Sequence, residues 1–339
     1  MDEIRQGASE MSEGATKQFT FVLVPDFSMM AFTAAIEPLR AANRIAGKAL
    51  YSWTVETLDG GEVTASNGTR VVADGTLGDT KRGGVMLVCA GLFADDRADP
   101  ELLKVLRREA RSSEATGALC TGSIILARAG LLDGYRCTAH WEDLASFAEN
   151  FPELEISSRL YEIDRDRFTC SGGTAPLDMM IHLIALDHGR QLAMGVAELL
   201  VHHSAREATE PQRLSILERT GVHHPKLLVA IGLMEETIEL PVSLDRIASG
   251  AGLSTRQMER LFRLHFQTTP SRYYLGLRLV RARHLLGHTS FSVLQVALAT
   301  GFTSPAYFTK CYRQAYGITP SAERQSPARS RASAGGETV

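Results

Sequence analysis

The chain lacks any run of 18 or more apolar residues, so it offers no membrane-spanning helix. Met1 to Gln18 is polar, with no apolar stretch after a basic start, and does not read as a secretory signal. Cysteine is sparse. The five present (Cys89, Cys120, Cys137, Cys170 and Cys311) are odd in number and show no CxxC spacing. That pattern speaks against a disulfide framework and against a zinc site, and it points to a reducing cytoplasm. No metal and no cofactor are expected. Aromatic residues make up only 7%, yet 44% hydrophobic and 22% charged residues exclude wholesale disorder or a fibrous rod. At 339 residues the chain is long for one domain, and two are expected.

The formal net charge of -3 conceals an asymmetry. Residues 226–339 carry 14 basic and 7 acidic side chains, whereas residues 1–225 carry 22 basic and 32 acidic ones. An acidic body joined to a basic end suggests that the C-terminal part meets a polyanion.

In the N-terminal part, buried apolar runs alternate with helical patterns. Phe19–Val24, Trp53–Leu58, Val85–Cys89 and Thr116–Leu119 read as strands. Residues 34–46, Pro100–Arg111, Gly122–Ala129, 175–189 and 191–205 read as helices. Leu160–Ile163 and Phe168–Cys170 add strands around a turn at Asp164–Asp166. This alternation predicts a parallel sheet with helices on both faces, a flavodoxin-like α/β domain. The predicted organisation is a flexible 1–18, an α/β domain over 19–205, a linker over 206–226 broken by His223-His224-Pro225, an all-α domain over 227–320, and a disordered tail over 321–339.

The all-α domain repeats itself. Ile247–Pro270 and Val296–Pro320 each hold a short helix, a turn at Gly252 or Gly301, and a longer helix ending before Thr-Pro. Met258, Leu261, Phe262 and Phe266 form an inward stripe on the first long helix, matched by Phe308, Cys311, Tyr312 and Tyr316 on the second. Ser254 and Ser304 are placed to cap those helices. Two helix-turn-helix units joined by a basic helix (about Pro270–Gly287, with Arg278, Arg281 and Arg283) predict double-stranded DNA as partner, each second helix entering a major groove. Candidate DNA-binding residues are Arg256, Gln257, Arg260 and Arg263, then Pro305, Ala306, Lys310 and Arg313. Arg and Gln can pair bidentately with base edges, and Lys310 suits guanine or phosphate. Pro305 and Ala306 can offer only apolar contact.

The phrases "LDRIASGAGLSTRQMERLFR", "RLVRARHLL" and "VALATGFTSPAYFTKCYRQAYGITP" resemble the AraC/XylS family of bacterial transcription regulators over residues 227–320. The resemblance implies two helix-turn-helix units reading successive major-groove segments of promoter DNA.

In the α/β part, Thr116-Gly-Ala-Leu-Cys120-Thr-Gly122 reads as a strand, a tight turn and a helix start. Such an elbow exposes its central side chain at the sheet edge, beside N–H groups and a positive dipole end that favour a thiolate or an anion. His140 follows 20 residues on, beside Trp141. Taken alone, a Cys and a His at that distance are more often unrelated core residues than an activated thiol. "CTGSIILARAGLLDGYRCTAHW", with "PDFSMMAFTAAIEPLRAAN" and "CSGGTAPLDMMIHLIALDHG", resembles the ThiJ/PfpI superfamily of class I glutamine amidotransferase-like fold over residues 19–205. It most resembles the GlxA-type branch fused to AraC-type domains.

Enzymes of the superfamily use the elbow cysteine, the histidine and an acidic residue from the first loop. That acidic position falls near Ala31, with Asp26 and Glu37 offset from it. The resemblance therefore implies a sensing domain without turnover, its effector held by Cys120, Thr121, Gly122, His140, Trp141 and Glu37. Glu37 faces either the pocket or the helix surface; Trp141 and Phe32 either stack on a cation or serve the core. The phrase "EPQRLSILERTGVHHPKLLVAIGLMEETIE" resembles a subgroup linked to betaine, carnitine or arginine catabolism, implying a nitrogen-containing small metabolite. A homodimer through the N-terminal domain is expected, and a cysteine-dependent amidase or isonitrile-hydratase-like enzyme is the alternative.

Overall fold

The computed structural model describes residues 16–79, 83–289 and 291–325. The chain divides into two compact units, Met1–Gln212 and Arg213–Val339.

The first unit is built on strands β1 (Lys17–Leu23), β2 (Tyr51–Thr57), β3 (Glu62–Thr64), β4 (Arg70–Val72), β5 (Gly75–Thr76), β6 (Val85–Cys89), β7 (Ala115–Leu119), β8 (Arg136–Cys137), β9 (Glu155–Ile156), β10 (Tyr161–Asp164) and β11 (Arg167–Cys170). Seven of them form one sheet in the order β10-β11-β7-β6-β1-β2-β5, parallel throughout except at β10–β11. The period of two sorts side chains cleanly between its faces. Phe19, Phe21, Leu23, Val85, Leu87 and Cys89 enter one core, with α1 (Met29–Ala46), α6 (Ala175–His188) and α7 (Arg190–Leu199). Val22, Val24, Met86 and Val88 enter the other, with α2 (Ala94–Arg97), α3 (Pro100–Ala110), α4 (Gly122–Arg128) and α5 (Leu144–Asn150). Both faces are covered, which is why these strands read as continuous apolar runs.

Several boundaries differ from the sequence reading. Lys17 and Gln18 lie in β1, because Lys17 pairs with Tyr51 across the sheet and its ammonium meets Asp187 at 2.9 Å. α1 begins at Met29, five residues early, because Ser28 caps it by accepting from the Ala31 N–H. α7 stops at Leu199, and Val201 takes a positive φ of 56°. The expected tail opens with a short helix, α15 (Pro320–Arg324), capped by Thr319; the rest of the tail lies outside the described residues, as do residues 1–15 of the expected flexible start.

The expected linker divides between the units. Residues 206–212 belong to the first, while the second takes in α8 (Ile216–Thr220), closed by a Ser215–Glu218 capping box. His224-Pro225 starts a helix, α9 (Pro225–Glu236): His224 Nδ1 accepts from Leu227 N, and Pro225 sits where a missing N–H is harmless.

The remaining helices are α10 (Leu244–Gly250), α11 (Thr255–Phe266), α12 (Pro270–His288), α13 (Val293–Ala299) and α14 (Pro305–Tyr316). They surround two small cores. Ile231, Met234, Ile247, Met258 and Phe262 make one; Leu286, Val296, Phe302, Phe308 and Tyr312 make the other. α12, about 28 Å long at 1.5 Å per residue, gives Tyr274 to the first core and Leu279, Ala282, Leu285 and Leu286 to the second.

Candidate ligand cleft and DNA-reading helices

At the C-terminal end of β7 the chain turns sharply into α4. Cys120 takes the strain, with φ at +59°, while its N–H bonds the Cys170 carbonyl at 3.1 Å. Gly122 must be glycine: a Cβ there would stand 2.2 Å from the Val88 carbonyl oxygen. The elbow is thus present as expected, and of the two occupants its helix start would favour, a thiolate or an anion, burial opposes the thiolate. Burial, reinforced by Asp143 and Cys170 nearby, pushes the Cys120 thiol up to about 12, although the Thr121 N–H pulls the other way. Desolvation and negative neighbours outweigh the dipole of a seven-residue helix.

The offset acids do not fill the missing position. Asp26 is ion-paired to Arg97 at 2.6 Å, and Glu37 to Arg40 at 2.7 Å on the outer side of α1. Glu37 therefore faces the helix surface rather than the elbow. Ala31, 1% exposed, belongs to the same core cluster as Cys120. Phe32 is a core residue, its ring edge-on to Phe21 and Phe27.

Beside the elbow lies a cleft of about 200 Å³ lined by His140, Trp141, Leu160, the loop Ser171–Ala175, Arg206 and Gln212. Of the residues expected at a ligand, His140 and Trp141 line it; Cys120 and Thr121 are buried, with Cys120 packed against Gly172. His140 Nδ1 accepts from Glu142 N at 3.4 Å and lies 3.6 Å from the Glu142 carboxylate and 4.0 Å from that of Asp143. The Trp141 ring, 37% exposed, lies 5.6 Å from the imidazole. An accessible aromatic face can hold a cation, and the carboxylates of Glu142 and Asp143 lie behind it against His140 rather than in the cleft lining.

Arg206 and Gln212 escaped the sequence reading, since both sit in what looked like a linker. A wider hollow of about 780 Å³ runs along α6, α7 and residues 201–207, with Asp178 at its wall. That carboxylate, 0% exposed, is held by His202 at 2.7 Å and by Arg206 through its N–H and guanidinium.

In the second unit, α10–α11 and α13–α14 are the expected helix-turn-helix pairs. Ser254 and Ser304 cap the second helices as expected. Met258, Leu261 and Phe262 are buried, as are Phe308, Cys311 and Tyr312. Arg256, Gln257, Arg260, Arg263, Pro305, Ala306, Lys310 and Arg313 are all exposed. Gln257 is nevertheless engaged: it completes a capping box in which its Oε1 accepts from Ser254 N at 2.8 Å. A bidentate grip on adenine would need that oxygen. The arginines of α12 are not a free basic stripe either. Arg278 donates to the Thr300 carbonyl and stacks 4.0 Å over Phe302, while Arg283 lies over Tyr316 and pairs with Glu323.

Comparison with known proteins agrees with both halves. Residues 17–186 match the DJ-1/PfpI family, and residues 247–326 match a helix-turn-helix domain family. The HTH-type transcriptional regulator GbdR of Pseudomonas aeruginosa is 44% identical over 305 residues, covering 90% of this chain and 83% of the relative. The regulator CdhR of the same organism is 46% identical over 309 residues, 91% of this chain and 92% of the relative. A solved ThiJ/PfpI family protein from Pseudomonas syringae, 21% identical, covers 70% of this chain and 92% of its own with a TM-score of 0.51, a likeness of fold. With an elbow cysteine in a parallel sheet and paired helix-turn-helix units, the chain belongs to the HTH-type transcriptional regulators that join a DJ-1/PfpI domain to an AraC-type DNA-binding domain.

Proposed function

We propose that the DJ-1/PfpI unit senses a small nitrogen-containing metabolite, an amino acid, betaine or carnitine, without transforming it, and that the second unit carries the response to promoter DNA. The carrying observation is the cleft itself: Trp141, exposed beside His140 in its lining, suits a cationic nitrogen, while burial pushes the neighbouring Cys120 thiol up to about 12. Reaction as a nucleophile requires the thiolate. The DNA-reading surface we assign to Arg256, Arg260 and Arg263 of α11 and to Lys310 and Arg313 of α14. Pro305 and Ala306 supply thymine-methyl or backbone contact.

We also propose a homodimer through the first unit, because joining two DNA-reading units raises effective concentration at paired sites. The second reading, a cysteine-dependent hydrolase or hydratase, draws on the elbow itself, which sets Cys120 against Gly172 of the loop that lines the cleft with His140. Full-length protein incubated with amino acids, betaine and carnitine decides between the two. The sensor returns its ligand unchanged and shows a raised melting temperature that Trp141→Ala abolishes. Multiple turnovers lost in Cys120→Ala would establish the enzyme instead. Sedimentation showing only monomer at micromolar concentration would dispose of the dimer.

A further inference from the structure

Residues 206–212 form a strap whose two ends both line the cleft. At its start, Arg206 is locked to Asp178, and its Nη2 also donates to Thr174 Oγ1 at 2.7 Å. In its middle, the Ala208 carbonyl accepts from Leu160 N at 3.0 Å, and Pro211 bridges to Arg159. At its end, Gln212 Nε2 lies within hydrogen-bond reach of the carbonyls of Arg159 (2.8 Å) and Ala139 (3.1 Å) and of Thr138 Oγ1 (3.1 Å). Two of those three are carbonyl oxygens, which only accept, so the amide nitrogen must face them. The orientation of the amide is thereby fixed. Its oxygen, turned away from those carbonyls, is buried and accepts no hydrogen bond among the described residues. An amide oxygen buried beside a polar cleft without a donor is an unfavourable state, and a ligand whose entry shifts the strap enough to uncover that oxygen relieves it. The next residue, Arg213, begins the DNA-binding unit.

We infer that Gln212 is a specificity-determining residue of the cleft: its Oε1 accepts a hydrogen bond from an ammonium N–H or a hydroxyl of the effector. This rests on the cleft being the effector site. It narrows the ligand class, because a nitrogen that retains a proton, or a neighbouring hydroxyl, satisfies Gln212, whereas a fully methylated nitrogen without a hydroxyl does not. It also places the contact at the last residue before the DNA-binding unit, on the strap from which that unit departs.

The test is calorimetric titration of the full chain with glycine, N-methylglycine, dimethylglycine, trimethylglycine and carnitine, together with L-arginine. Wild-type protein should favour donor-bearing members over trimethylglycine by tenfold or more. Gln212→Met should collapse that ratio to within about threefold. Gln212→Met should keep its affinity for trimethylglycine, which makes no use of the Gln212 oxygen, within about threefold of wild type, showing that the lost preference is not a folding defect. Equal affinity across the series, or a preference that survives Gln212→Met, overturns the inference while leaving the cleft as the site. If no member binds wild-type protein, or if Trp141→Ala leaves binding intact, the reading of the cleft falls and this inference with it.

Discussion

Gly172 and Cys120 hold each other in place: a Cβ on Gly172 would lie 2.7 Å from both Cβ and Sγ of Cys120. Both residues have positive φ, +88° and +59°, so the turn that strains Cys120 at the end of β7 packs against a turn after β11 that only glycine makes without strain. Gly172→Ala should therefore cost about 1–3 kcal/mol, combining backbone strain with overpacking. Gly173→Ala, at φ +57° but with open space around it, should cost only about 1 kcal/mol. Urea midpoints of the two variants give the comparison; equal losses would mean that the contact contributes nothing.

Stability should decline on the alkaline side. Burial is the main cause that pushes Cys120 and Cys137 up to about 12 and Cys170 to about 11. Unfolded thiols ionise near about 8.5. Below that pH both states keep the proton and the stabilisation is complete. Above it the unfolded chain ionises first, so the melting temperature should fall steadily between pH 9 and 11. Iodoacetamide should accordingly label Cys120 far more slowly at pH 8 than it labels the denatured chain. Rapid labelling of the native protein at pH 8 would contradict the protonated thiol and revive the enzyme reading.

Arg260→Ala and Gln257→Ala should separate reading from capping. Arg260 is exposed, so its loss should weaken operator binding by about 1–3 kcal/mol and relax base preference at one position. Gln257→Ala removes half of the capping box and should lower helix stability by about 0.5–1 kcal/mol, leaving base preference unchanged. Electrophoretic mobility shifts on a panel of single-base operator variants, alongside thermal melts, report both quantities.

The two turn glycines should differ sharply. At Gly301, φ +74°, a Cβ would meet Pro241 at 2.4 Å and the Ile238 carbonyl at 2.7 Å. At Gly252, φ +64°, the nearest atom is Lys226 Nζ at 3.7 Å. Gly252→Ala should cost about 1 kcal/mol of backbone strain. Gly301→Ala should cost at least twice as much, because backbone cannot step aside as a flexible ammonium can. Matching denaturation curves for the two variants would refute the close approach at Gly301.

What could be read from the sequence was what repeats at fixed spacing. The paired stripes through Phe262 and Phe308 carry their partners in their period, and the unbroken apolar runs at Val85–Cys89 and Phe19–Val24 announce strands covered on both faces. Two-residue strands such as β5, β8 and β9 are too short to show a period. Nor does spacing say that Gln257 turns back on Ser254, or that Gln212 reaches carbonyls 53 and 73 residues away. The elbow at Cys120 was legible as geometry; its thiol's reluctance to ionise was not, since that follows from burial and from Asp143 brought close by the fold.

The unlike faces of α11 and α14 have a consequence for the promoters this protein meets. On the proposed DNA-reading surface, three exposed arginines on the first helix, against a proline and an alanine opening the second, should concentrate the operator's information in one groove segment. If that surface reads DNA as proposed, base changes there should abolish recognition, whereas the other segment should be free to drift, provided its phosphates stay within reach of Lys310 and Arg313. A set of target promoters should therefore align as one sharp block of letters beside one blurred one.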